Sequence, residues 1–81
     1  MPVVMRERGY RFEFYASDRL ERPHIHVKKN GKHAKVWLWP GVEIEFSRRY
    51  KPHEVNRILG IVQENLETLL EAWNGFFGGA A

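Results

Sequence analysis

The feature that most constrains this chain is an Asn30-Gly31 pair set between two alternating runs. Both residues tolerate positive φ, so together they form the two-residue type I′ turn whose twist suits antiparallel strands. Before the turn, His24-Ile25-His26-Val27-Lys28 alternates apolar and polar; after it, His33-Ala34-Lys35-Val36-Trp37-Leu38 returns. A two-residue loop sets Lys29 opposite Lys32, and counting outward sets His26 opposite Lys35, Ile25 opposite Val36 and His24 opposite Trp37. A slip of one residue would move every apolar side chain to the wrong face, so the register is strongly held.

The neighbouring segments extend this hairpin into a sheet. Tyr10-Arg11-Phe12-Glu13-Phe14-Tyr15 alternates and puts Tyr10, Phe12 and Phe14 on one face. Val3 to Arg6 pairs with it through a turn at Arg8-Gly9. A polar loop, 16–23, closes on Pro23. Beyond Leu38, a three-residue loop of Trp39-Pro40-Gly41, with Gly41 left-handed, is expected to pair Leu38 with Val42 and keep Val36 opposite Ile44. Two rows then cross the polar face, His26–Lys35–Glu45 and His24–Trp37–Glu43, with opposed Cβ atoms about 4.5–5.5 Å apart.

From Pro52 the period changes. Proline suits the first helical position, where its missing N–H costs nothing, and Glu54 complements the helix dipole. Val55, Ile58, Leu59, Val62, Leu66, Leu69, Leu70, Trp73 and Phe77 trace one apolar stripe. One helix from 52 to 77 would be roughly 38 Å long at 1.5 Å per residue, against about 17–20 Å for a typical strand. It must overhang the sheet or break near Glu64-Asn65. An overhang would leave Trp73, Phe76 and Phe77 to be covered by a homodimer or a partner, or by folding back on the chain. The expected fold is α+β: an antiparallel meander of four to five strands packed on one long C-terminal helix, with a break near Asn65 as the variant. Residues 1–77 form one domain and 78–81 a flexible tail.

Composition narrows the function classes. The 81 residues include no cysteine, which in so small a domain points to a reducing compartment. The apolar start is too short for a signal peptide, and no run approaches the ~20 apolar residues of a membrane span. A cytoplasmic location is expected, without membrane association. Residues 1–51 carry twelve Lys/Arg against six Asp/Glu, whereas residues 52–81 carry one Arg against four Glu. The basic part suits nucleic acid or an acidic partner protein.

The polar face carries the candidate chemistry. His24 and His26, two apart on a strand, project the same way. As acid and base they suit cleavage of an RNA phosphodiester, with Lys35 offsetting charge on the phosphate oxygens. Tyr15 and Trp37 offer rings on which bases stack, each worth roughly 1–3 kcal/mol. Arg48, Arg49 and Lys51 are candidate phosphate contacts, and His53 at the helix start is a candidate to complete the site. No metal or other cofactor is assigned. A divalent ion, if one is found, would use His24 and His26 with a carboxylate from Glu43 or Glu45. The plainer alternative is a solvated face with a Lys35–Glu45 surface pair worth about 0–1 kcal/mol.

Pro23-His24-Ile25-His26-Val27, the strand Ala34-Lys35-Val36-Trp37-Leu38, and Lys51-Pro52-His53-Glu54 resemble a family of short bacterial proteins catalogued as domain of unknown function 4160. The likeness runs from Met1-Pro2, Arg6 and Gly9-Tyr10 through Phe14-Tyr15 and Asp18 to Glu64-Asn65 and Glu71-Ala72-Trp73. The resemblance implies a toxin-like component with a small antitoxin-like protein partner. By analogy with other small basic toxins, it implies RNA cleavage. Arg22 departs from the proline of many relatives, which bears on the stiffness of the loop. Two functions are therefore expected to compete. One is a toxin-type ribonuclease acting through the histidine pair on an open sheet face. The other is a non-catalytic module that binds nucleic acid or protein through the same basic, aromatic face.

Overall fold

The computed structural model describes residues 3–15, 18 and 20–78. Met1, Pro2, Arg19 and positions 79–81 of the expected tail lie outside the described residues. Five strands, β1 (Val3–Glu7), β2 (Tyr10–Glu13), β3 (His24–Lys29), β4 (Lys32–Trp37) and β5 (Glu43–Arg48), form one antiparallel meander in chain order. Two helices follow, α1 (Pro52–Glu64) and α2 (Leu66–Phe77). The α+β architecture agrees with the sequence. The single long helix does not.

The Asn30-Gly31 turn has φ of 49° and 80°, and the β3–β4 register is the expected one: Lys29 with Lys32, His26 with Lys35, His24 with Trp37. Arg8 and Gly9 make a second turn of the same kind, with φ of 56° and 86°. Phe12, Ile25, Val27, Ala34 and Val36 fall on one face and are fully buried. Ile58, Ile61 and Val62 of α1 join them in one core with Tyr10 and Phe14. Each large apolar side chain so buried contributes about 1.5–3 kcal/mol relative to exposure.

The β4–β5 pairing departs from the expected geometry. The register is Trp37 with Glu43, Val36 with Ile44, then Lys35 with Phe46. Glu45 is the extra residue of a β-bulge, so the row His26–Lys35–Glu45 does not form. The bulge keeps Ile44 against Val36 on the apolar side and turns Phe46 to the polar side, where its ring lies 5.1 Å from that of His33. The connecting loop is also longer than three residues. Leu38 N–H donates to Pro23 O at 2.9 Å, outside any pairing with Val42, and Gly41 lies outside the left-handed region.

Asn65 divides the helical segment. Its φ is −112°, its side-chain N–H donates to Ile61 O at 2.8 Å, and its carbonyl accepts from Leu69 N–H at 2.9 Å. A side chain that bonds the preceding turn competes with the helical ladder, and here it ends one helix as the next begins. The redirected α2 lays Trp73 and Phe77 on Phe14, at ring separations of 5.2 and 6.0 Å. Trp73 is therefore buried by its own chain. Of the three aromatics expected to need a covering partner, only Phe76 is exposed, at 43%.

Candidate functional site: a histidine–aspartate cluster under the β2–β3 loop

His24 and His26 do project from the same side of β3, as alternation requires. That side is not open over them. His24 is fully buried and His26 is 7% exposed, because Tyr15 and Asp18 of the β2–β3 loop fold over both rings. The His24 ring also packs between Trp37 of β4, at 5.5 Å, and Trp73 of α2, at 5.2 Å. The expectation of two solvent-facing imidazoles fails here. Trp73 can come down over the end of the sheet only because Asn65 redirects α2.

Asp18 joins the pair. One carboxylate oxygen lies 3.2 Å from His24 Nε2 and the other 3.2 Å from His26 Nε2. The loop holds this carboxylate through Tyr15 N–H, which donates to Asp18 Oδ2 at 2.8 Å, while Asp18 N–H donates to Tyr15 O at 2.9 Å. Burial works against the ionised carboxylate. The Tyr15 N–H and the two imidazoles outweigh it, and the Asp18 pKa falls below its ordinary value.

Three of the four ring nitrogens of the pair have hydrogen-bond partners, and His26 Nε2 meets Asp18 Oδ1 at 3.3 Å. His24 Nδ1 lies 2.9 Å from Arg22 O; a carbonyl only accepts, so Nδ1 carries the proton. His24 Nε2 is then the nitrogen that faces Asp18. It makes no hydrogen bond among the described residues, although Asp18 Oδ1 lies 3.2 Å away. His26 Nδ1 shares a 3.0 Å hydrogen bond with His33 Nε2. Burial lowers the pKa of His26 against the pull of Asp18. It also lowers that of His33, helped by His26, Lys28 and Arg48. Nitrogen and oxygen donor atoms of Asp18, His24 and His26 all lie within 4.8 Å of one another.

Around this closed cluster runs a more open rim. Lys35 stands across from His26 but turns to the Glu21 carboxylate, with its ammonium 4.7 Å above the Trp37 ring; it bonds neither imidazole. Trp37 Nε1–H donates to Glu45 at 2.8 Å, and Arg22 covers the same ring at 4.1 Å. Glu45 is thus engaged by Trp37, and the carboxylate beside the imidazoles is Asp18 rather than Glu43 or Glu45. Lys28 lies over Tyr15 at 4.7 Å and Arg48 over Phe46 at 5.0 Å. Tyr15 and Glu13 hold the Lys28 ammonium above its ordinary pKa. Trp39 is 58% exposed.

Arg49, Lys51 and His53 are not brought to the cluster. All three are exposed in the connection to α1 or its first turn, and α1 covers the opposite face of the sheet. His53 instead lines a shallow cleft with Arg8, Asn56 and Arg57. Asp18 and His33 are functional candidates that strand alternation alone did not single out. His33 was within reach of the hairpin register, since it is the diagonal neighbour of His26. Asp18 sits in an irregular loop, where no periodicity reports position.

A five-stranded meander with α1 on one face, a buried histidine–aspartate cluster on the other and α2 reaching that cluster through Trp73 defines a small α+β domain. The family model described as Domain of unknown function (DUF4160) matches residues 9–74, and the chain belongs to that family. No curated protein and no solved structure matches it significantly.

Proposed function

We propose that this protein is a binding module for single-stranded RNA, acting through the rim of the polar sheet face. The carrying observation is that Arg22, Lys28, Lys35 and Arg48 each stand 4.1–5.0 Å over an aromatic ring of that face. Cations interleaved with rings are what a flexible polyanion with stacking bases needs. Trp39, with more than half its surface in solvent, supplies a ring free to stack. The surplus of Lys and Arg in residues 1–51 adds attraction at longer range.

Binding is favoured over cleavage by the burial of His24. Acid–base cleavage needs both imidazoles at one phosphodiester, and His24 is fully enclosed by Trp37, Trp73 and the loop. A toxin-like role would then act by occupying RNA, with a small antitoxin-like protein competing for the same rim.

Fluorescence anisotropy with an oligouridine probe over a salt series tests this reading. Affinity should fall steeply as salt rises. Trp39→Ala and Arg48→Ala should each weaken binding, and the RNA should be recovered intact. Absence of RNA binding at low salt, with capture of the neighbouring gene product instead, would assign the rim to a protein partner. RNA cleavage lost in His26→Ala would restore the ribonuclease.

A further inference from the structure

The rim leaves the buried cluster beneath it without a role, and the cluster has features that surface electrostatics does not explain. His24 is wholly enclosed, yet its Nε2 has no hydrogen-bond partner among the described residues. A buried polar atom without a partner is costly to the fold. The Arg22 carbonyl accepts the Nδ1 proton in a hydrogen bond, so Nε2 is the nitrogen left facing the Asp18 carboxylate. A ring nitrogen and a carboxylate oxygen 3.2 Å apart in a buried site need a positive charge between them, a proton or a metal ion.

We propose that Asp18, His24 and His26 form a binding site for a divalent transition metal ion of the zinc class. Three features support it. First, a single carboxylate oxygen, Asp18 Oδ1, lies 3.2 Å from His24 Nε2 and 3.3 Å from His26 Nε2. Ligand atoms of a tetrahedral ion with bonds of about 2.0–2.1 Å stand roughly 3.3 Å apart. Second, each histidine has its other nitrogen anchored, His24 Nδ1 by the Arg22 carbonyl and His26 Nδ1 by His33. Such outer contacts orient metal-bound imidazoles, and an ion would replace the proton through which His26 Nε2 meets Asp18 Oδ1 at 3.3 Å. Third, the donor set is two imidazoles and one carboxylate, which suits zinc or another late divalent ion better than magnesium or calcium. His33, as the hydrogen-bond partner of His26, is a positioning residue.

The ion would tie the β2–β3 loop to β3, since Asp18 comes from the loop and both histidines from the strand. Because Arg22 lies in that loop and stands over Trp37, the metal would also steady part of the RNA-binding rim. The metal site does not depend on RNA binding, and its test reads metal alone.

The experiment uses tag-free full-length protein stripped with a chelator and titrated with Zn²⁺ by calorimetry, with Co²⁺ as a spectroscopic probe. The expected result is one Zn²⁺ per chain and a rise in melting temperature. The Co²⁺ complex should show the intense visible bands of a four-coordinate site. His26→Gln and Asp18→Asn should weaken Zn²⁺ binding by at least the roughly 10–100-fold that loss of an outer partner alone produces. His53→Ala, away from the cluster, should leave it unchanged. The proposal is overturned if wild type takes up no stoichiometric Zn²⁺, or if both folded variants bind as tightly as wild type. Should neither variant fold, the wild-type Co²⁺ spectrum decides, and a weak six-coordinate spectrum overturns it.

Discussion

The two faces of this sheet bury their side chains in different ways. On the helix side, Phe12, Ile25, Val27 and Val36 meet Ile58 and Val62 with no polar atom to satisfy, and shape and area alone hold the contact. On the other side, His24, His26 and Asp18 are almost as enclosed, but each carries hydrogen-bonding atoms that demand partners. One face is closed by a helix from the end of the chain. The other is closed by Trp73 of α2 at His24 and by a short loop, whose backbone at Tyr15 and Arg22 supplies bonds that a helix surface could not. The apolar face makes the domain stable, and the polar face is where it can do something specific.

Truncation should expose the contrast most sharply. Phe12→Ala or Ile58→Ala on the helix side should each cost about 2–5 kcal/mol by urea denaturation, since both side chains are fully buried. Trp39→Ala on the rim should stay within about 0.5 kcal/mol. Comparable losses at both would erase the distinction between a stabilising face and a working one.

A smaller loss is expected at His24. In His24→Ala the Arg22 carbonyl loses its donor and the ring leaves a gap between two indoles, so destabilisation of about 1–3 kcal/mol should appear in the same assay. A solvated histidine would give almost none. His24 thus reports whether the polar face is closed.

Acid should act first on the polar side. Burial raises the pKa of Glu13, but the Arg11 hydrogen bond and the Lys28 charge outweigh it and hold the carboxyl below its ordinary 4.5. A depressed carboxyl stabilises the fold above its unfolded pKa, and this is lost as pH falls through the folded value. Glu13→Gln should therefore be less stable than wild type near neutrality and converge with it in strong acid. A constant gap across that range would remove Glu13 from the acid response.

The smallest effect tests the apolar side for a hidden polar cost. The Tyr10 hydroxyl is buried without a hydrogen-bond partner among the described residues, whereas Tyr50 donates its own to Val27 O at 3.0 Å and burial pushes its pKa up to about 12. Tyr10→Phe should leave stability unchanged within about 0.5 kcal/mol, and Tyr50→Phe should lower it by about 1 kcal/mol. A marked loss at Tyr10 would point to a partner for its hydroxyl.

How much of this the residues announce depends on whether a local rule governs them. The β3–β4 register follows from Asn30-Gly31, because turn chemistry and alternation agree. The β4–β5 bulge escaped the same reasoning, since nothing local says that Phe46 will leave the row and pack on His33. The helix break is visible as an asparagine in an apolar stripe. Its consequence is not, for the stripe omits Ile61, which α1 buries. The histidine pair is legible from spacing. Its burial and its carboxylate belong to an irregular loop that carries no period, and only the three-dimensional contact brings Asp18 to both rings.

Amide chemical-shift mapping during titration with oligouridine tests the division of labour between the faces most directly. Perturbations should gather on the polar side, at Tyr15, Arg22, Lys28, Lys35, Trp39 and Arg48, with α1 undisturbed. Shifts confined to the helices, or none at RNA concentrations that saturate other single-strand binders, would contradict it.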